Sequence, residues 1–189
     1  MIDLTSACLR TSDVLAYVTD DRLALPTPCE KLQLDELIAH IGMLAVAFTA
    51  AARKEFGPLT DTPPGDGAPL DADWRTAYPQ RLAELADAWR DSGAWQGMTR
   101  AGGVELPAEV MGSVALAEVV IHGWDVARAI GSPYDSDPAT TQACLAHLAQ
   151  FDTAGTEGMF GPAVSIADDA PALDRAIAMS GRDPAWRAS

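Results

Sequence analysis

The chain has 189 residues, 48% of them hydrophobic, and 13 Lys and Arg against 27 Asp and Glu leave a net charge of −14. That length and apolar content suit one packed domain, residues 1–189, and argue against disorder. The acidic field opposes phosphate backbones and anionic lipid, so neither nucleic acid nor a membrane surface is an expected partner.

The first residues, MIDLTSACLRTSD, carry neither a basic start nor an apolar run, and do not read as a secretory signal. A first helix is predicted from about Ser6 to Leu23, with Leu9, Val14, Leu15 and Val18 inward. Pro26 and Pro28 break the chain behind it. A second, strongly apolar helix follows from about Leu34 to Phe56. Its longest apolar stretch, Leu37 to Ala52, is interrupted by His40, Gly42 and Thr49, short of the roughly 18 consecutive residues that span a bilayer.

Gly57 to Leu70, rich in Pro and Gly, reads as a surface loop of unassigned role. Asp71 is the expected N-cap of a third helix that runs to about Asp91, carries Leu82, Leu85 and Trp89, and is kinked or split by Pro79. Ser92 to Leu106 is Gly-rich, with two short extended pieces around Gly103. A fourth helix opens at Pro107 and ends at Gly131. After the turn residues Ser132 to Pro138 comes a fifth helix to Phe151, and the tail adds one from Pro171 to Ser180, closed by Gly181. Four long helices with appendages describe an all-α fold, a four-helix bundle with short extra helices. Cys8, Cys29 and Cys144 are dispersed and form no C-x-x-C pair, which fits free thiols in a reducing, cytoplasmic setting.

The fourth helix, PAEVMGSVALAEVVIHGWDVA, is apolar almost all round, as in a helix buried on most sides. Yet Glu118, His122 and Asp125 fall within roughly 60° of arc on it. A carboxylate there is costly unless it is paired, protonated or coordinated to a metal. Glu118 and His122 are then either a buried hydrogen-bonded pair holding the core in register or two ligands of a metal site. The second reading needs a ligand from another helix, and His40, in LIAHIGMLAVAF, is the candidate if it is not simply a core histidine. Two imidazoles and a carboxylate form a familiar catalytic zinc set with one open position. His147 lacks carboxylate company at helical spacing and reads as structural or exposed. Cys29, about a turn ahead of the second helix, reads as a small buried loop residue rather than a metal thiolate.

These segments resemble a known family. TPCEKLQLDELIAHIG (Thr27 to Gly42) resembles the T-P-C-x-x-W-x-v-x-x-L-l-x-H signature of DinB-like, mycothiol-dependent maleylpyruvate isomerase N-terminal domains. LAEVVIHGWDVARAIG (Leu116 to Gly131) is similar to their E-x-x-x-H-x-W-D-x-x-x-a-x-G signature, and LDRAIAMSGRDPAW (Leu173 to Trp186) to the ending of a small, single-domain actinobacterial branch described as metal-binding. The resemblance implies a DinB-type four-helix bundle whose divalent metal, zinc before nickel or iron, is held by His40, Glu118 and His122. It also implies mycothiol as a co-substrate, and a metal-dependent thiol transferase or isomerase acting on a small electrophile. The alternative is a metal-binding bundle without turnover: a sensor, a store or a partner-binding subunit. Asp125 is then either an acceptor for the free ring N–H of a ligand histidine or a helix-end partner of the backbone or Arg128. Trp124, by its spacing, packs away from the stripe. Two departures stand out: Leu32 replaces the signature tryptophan, and the isomerase's second domain has no counterpart here. Its active-site arginine on the third helix corresponds to Arg75 or Arg81 without a choice between them. The chain is expected to act as a monomer or homodimer.

Overall fold

The structure is a computed structural model that describes residues 1–63, 68–155 and 161–188. Its helices are α1 (Thr5–Ala16), α2 (Leu34–Arg53), α3 (Pro58–Asp61), α4 (Trp74–Ala88), α5 (Ala108–Ala129), α6 (Pro138–Leu148) and α7 (Ala172–Met179). Between α4 and α5 lies an antiparallel hairpin, β1 (Met98–Ala101) and β2 (Val104–Pro107), with Thr99 opposite Leu106. The fold is all-α, built on α1, α2, α4 and α5. Both α1 and α2 pack against α4 and α5, so each pair of helices faces across a diagonal of the bundle. On the outside, α6 lies against α5, and α7 against α6.

Local chemistry accounts for most of the helix ends, including those that differ from the predicted bounds. α1 stops at Ala16 rather than Leu23, because Thr19 turns extended and Asp20–Arg22 form a separate short 3-10 turn. Its inward face is Ala7, Cys8, Thr11, Val14 and Leu15. Leu9 was expected on that face but is 60% exposed, since it lies one position, about 100°, beyond Cys8. The position facing α5 is taken instead by Thr11, whose hydroxyl donates to the Val119 carbonyl at 3.1 Å.

α2 opens with the Gln33 N–H donating to Glu36 Oε2 at 2.9 Å and ends at Arg53, ahead of the predicted Phe56. There Lys54 adopts a left-handed φ of 57°, with Lys54 N–H bonding Ala51 O and Glu55 N–H bonding Ala50 O. The predicted loop from Gly57 to Leu70 contains α3, tied to the hairpin by Gly103 N–H on Thr60 O at 2.8 Å; residues 64–67 of that loop lie outside the described ones. The N-cap position of α4 falls to Asp73, not Asp71, with its carbonyl rather than its side chain taking the first helical bonds, and the helix runs through Pro79 without splitting. Pro107 ends β2 and sits one residue before α5.

By length and composition α2 and α5 are each apolar enough to cross a membrane. The expectation that no segment qualifies is therefore corrected: it counted consecutive apolar residues, whereas an average over the helix tolerates the few polar ones. Both are core helices in this fold, with 61% and 78% of their most apolar windows buried.

Gly123 fixes how closely α5 approaches α1. A Cβ there would stand 2.4 Å from Thr11 Oγ1 and 3.0 Å from the Tyr134 hydroxyl. Gly123→Ala should therefore lower unfolding free energy by about 1–3 kcal/mol, as overpacked cores do, measurable by urea denaturation. An unchanged midpoint would mean that α1 and Tyr134 can yield without penalty.

Candidate metal centre

Sixteen of the 22 residues of α5 are buried, so a polar side chain on its buried faces must find its partner inside the protein. Glu118 and His122, one turn apart, meet with Oε2 and Nε2 3.0 Å apart. The other ring nitrogen, Nδ1, lies 3.1 Å from Asp125 Oδ2. One imidazole thus sits between two carboxylates of its own helix. From α2, His40 presents its ring edge-on, at right angles to that of His122, with centroids 5.1 Å apart.

The cluster has a dry end and a wet end. His122 and Asp125 are buried, Asp125 completely, whereas His40 and Glu118 are part-exposed. Burial alone disfavours the His122 cation, but the bonds and charges of Asp125 and Glu118 outweigh it and push its pKa up to about 9. Burial likewise opposes ionisation of Glu118. The bond and charge of His122, aided by His40 and Arg182, prevail and hold that carboxyl below its usual range.

Two overlapping sets of donor atoms have the spacing of metal ligands. In each of His40/Glu118/His122 and Cys29/His122/Asp125, one donor atom per residue lies within 4.8 Å of the others. Tetrahedral zinc with bonds of about 2.0–2.2 Å needs separations of roughly 3.4 Å, which either set reaches by contraction of about 1.4 Å at most. Charge separates them. Arg182 brings Nη2 to 3.3 Å from Asp125 Oδ2, placing a guanidinium against the second set. The first set offers two imidazoles and a carboxylate and opens toward solvent. A divalent cation fits it better.

Arg75 bonds the Val18 carbonyl and Asp20, and Arg81 pairs with Asp71 at 2.8 Å. Trp124 is buried, with the Arg128 guanidinium over its ring. Arg128 otherwise donates to the Pro184 carbonyl, leaving Asp125 to His122 and Arg182. His147 is buried in α6, edge-on to Phe151, and burial pushes its pKa down.

Sequence reasoning set Cys29 aside as a small buried loop residue and gave Arg182 no role; Cys29 is half-buried and both lie near the cluster. Cys29 comes within reach of His122 and Asp125 because the loop carrying it folds back before α2. Its thiol is pushed up by burial, an effect partly countered by Arg182. Arg182 comes from the tail, 57 residues beyond Asp125, and no helical spacing could signal it.

The sequence model of the mycothiol maleylpyruvate isomerase N-terminal domain matches residues 4–127, well over half of the chain, and the chain belongs to that family. Among its relatives are uncharacterised proteins from two strains of Mycobacterium tuberculosis, 27% identical over 161 residues, which span 84% of this chain and 80% of theirs. The fold is similar to the crystal structures of the mycothiol-dependent maleylpyruvate isomerase and of a histidine-to-alanine variant of it. Each superposes with a TM-score of 0.58 at 23% identity, covering 77% of this chain and 68% of the other.

The raised pKa of His122 has a consequence for the metal-free protein. A group whose pKa rises on folding stabilises the fold fully below its unfolded value, near 6.5, and loses that contribution as pH climbs through about 9. Glu118 acts oppositely, its contribution vanishing as pH falls into the carboxylate range. In chelator, the melting temperature should fall from about pH 6.5 to 9, a loss on the order of a few kcal/mol. The same scan on His122→Asn should be flatter; an equally steep one would assign the effect to other groups.

Proposed function

We propose that His40, Glu118 and His122 hold a divalent cation, zinc first, and that the protein is a metal-dependent thiol transferase or isomerase. Its substrates on this reading are a low-molecular-weight thiol of the mycothiol type and a small electrophile. A cation bound there supplies a Lewis acid that lowers the pKa of a thiol, giving a nucleophile at neutral pH. The protein's own part is to present neutral imidazoles and an ionised carboxylate. Asp125 accepts the Nδ1 proton of His122, leaving Nε2 for the metal. Glu118 and His40, at the wet end, border the approach from solvent.

The charge of the cluster is the observation that carries this reading. Glu118 and Asp125 bring two negative charges, which Arg182 and the His122 imidazolium balance in the metal-free protein. Exchange of the His122 proton for a divalent cation leaves one net positive charge, and a single thiolate restores neutrality. Family membership supports the same co-substrate, since the matching domain is described by its mycothiol-dependent isomerase.

Purified protein should take up about one zinc per chain, and His122→Ala should lose most of it while keeping its helical circular dichroism. Cobalt-loaded protein should gain a sulfur-to-metal absorption band when mycothiol is added. Cys29→Ser should gain it equally, because the sulfur comes from the added thiol. A band already present without thiol and absent from Cys29→Ser would instead mean a closed site, favouring the metal-binding bundle without turnover. No metal uptake by wild-type protein would overturn both readings.

A further inference from the structure

The matched family domain ends at residue 127, yet the chain continues over the outside of α5 and returns to the cluster at Arg182. This return is firmly built. Ala176 and Ile177 of α7 are fully buried in the main core. Val164 N–H bonds the Ala178 carbonyl at 2.9 Å, and Arg128 on α5 donates to Pro184 O at 3.2 Å. The turn between them needs glycine: Gly181 has φ 82°, and a Cβ there would lie 3.0 Å from the backbone of Gly161. Arg182 follows at once, its side chain 11% exposed, with Nη1 donating to Ser180 O and Nη2 to Asp125 Oδ2.

We propose that Arg182 is a positioning residue of the metal centre: by bonding Asp125 it holds that carboxylate against His122 Nδ1 and so keeps Nε2 of the ring turned to Glu118 and His40. This rests on the proposed metal site but concerns a residue outside the family domain. Asp125 Oδ2 is shared between Arg182 and His122, while Oδ1 has no hydrogen-bond partner among the described residues. The carboxylate is therefore held from one oxygen, on one side by the ring and on the other by the guanidinium. Without Arg182 it loses the anchor that is independent of the ring. An unanchored outer partner leaves a ligand histidine less well oriented, an effect of about 10- to 100-fold in metal affinity at comparable centres.

The test compares wild type, Arg182→Gln, Arg182→Lys, Asp125→Asn and the Arg182→Gln/Asp125→Asn pair in zinc competition with a chromophoric chelator. Arg182→Gln should bind about 10- to 100-fold more weakly. Arg182→Lys, which keeps the charge but not the fork, should fall between the two. The double variant should lose no more than Asp125→Asn alone, because Arg182 acts through Asp125. A second readout needs no metal: the His122 Nδ1 proton in metal-free protein should give a downfield NMR signal that shifts or broadens in Arg182→Gln. Should Arg182→Gln fail to fold, Arg182→Met, which keeps the packing of the stem, takes its place in both measurements. Wild-type affinity in the substituted protein, additive losses in the double variant, or an unmoved ring-proton signal would each overturn the proposal. If wild type binds no zinc the metal reading fails, and the ring-proton signal alone decides the role of Arg182.

Discussion

Charge buried on α5 is the constraint around which the other elements are arranged. A helix enclosed on most sides carries two carboxylates and an imidazole on one inward stripe, and ions in such surroundings are tolerated when each has a partner in good geometry. His122 serves both carboxylates, and Arg182 supplies the charge that one imidazole cannot. Removing a single member of such a group typically costs about 3–5 kcal/mol, because its partner is left buried and uncompensated. The rotation of α5 about its axis and the return of the tail are thereby coupled. Gly123 takes part in the same rotational setting, since the residue beside His122 must let α1 approach.

Along the stripe the environment is graded. Asp125 is sealed from solvent, His122 nearly so, and Glu118 and His40 reach the surface of the cluster. A gradient of this kind separates two tasks that conflict in a uniformly wet or dry site. Orientation is set where the dielectric is low and hydrogen bonds are strong, while exchange with solvent happens at the other end.

The residues that local periodicity governs were readable in advance. Glu118, His122 and Asp125 share a face because a helix turns 100° per residue, and an apolar helix carrying them announces that they need partners. The hairpin around Gly103 and the helical tail were legible from glycine placement. Leu9 was misplaced because hydrophobicity was weighed above phase, while the buried Thr11 satisfied its hydroxyl on α5. Spacing pointed away from Cys29, which lies about a turn ahead of α2, and gave no sign of Arg182. Their positions depend on where a proline-bounded loop and a distant glycine turn bring the backbone, which is a tertiary property.

The polar stripe also bears on the life of the chain before it folds. Stripped of tertiary contacts, α2 and α5 have the length and composition of membrane spans. An ionised acid near the middle of a span costs about 2.5–3.5 kcal/mol on insertion, and Glu118 lies near the middle of α5, with Asp125 one to two turns further on. His40 adds a polar side chain in the first half of α2. The polar side chains that cluster in the folded protein thus lower the apolarity of the two segments whose length and composition most resemble membrane spans.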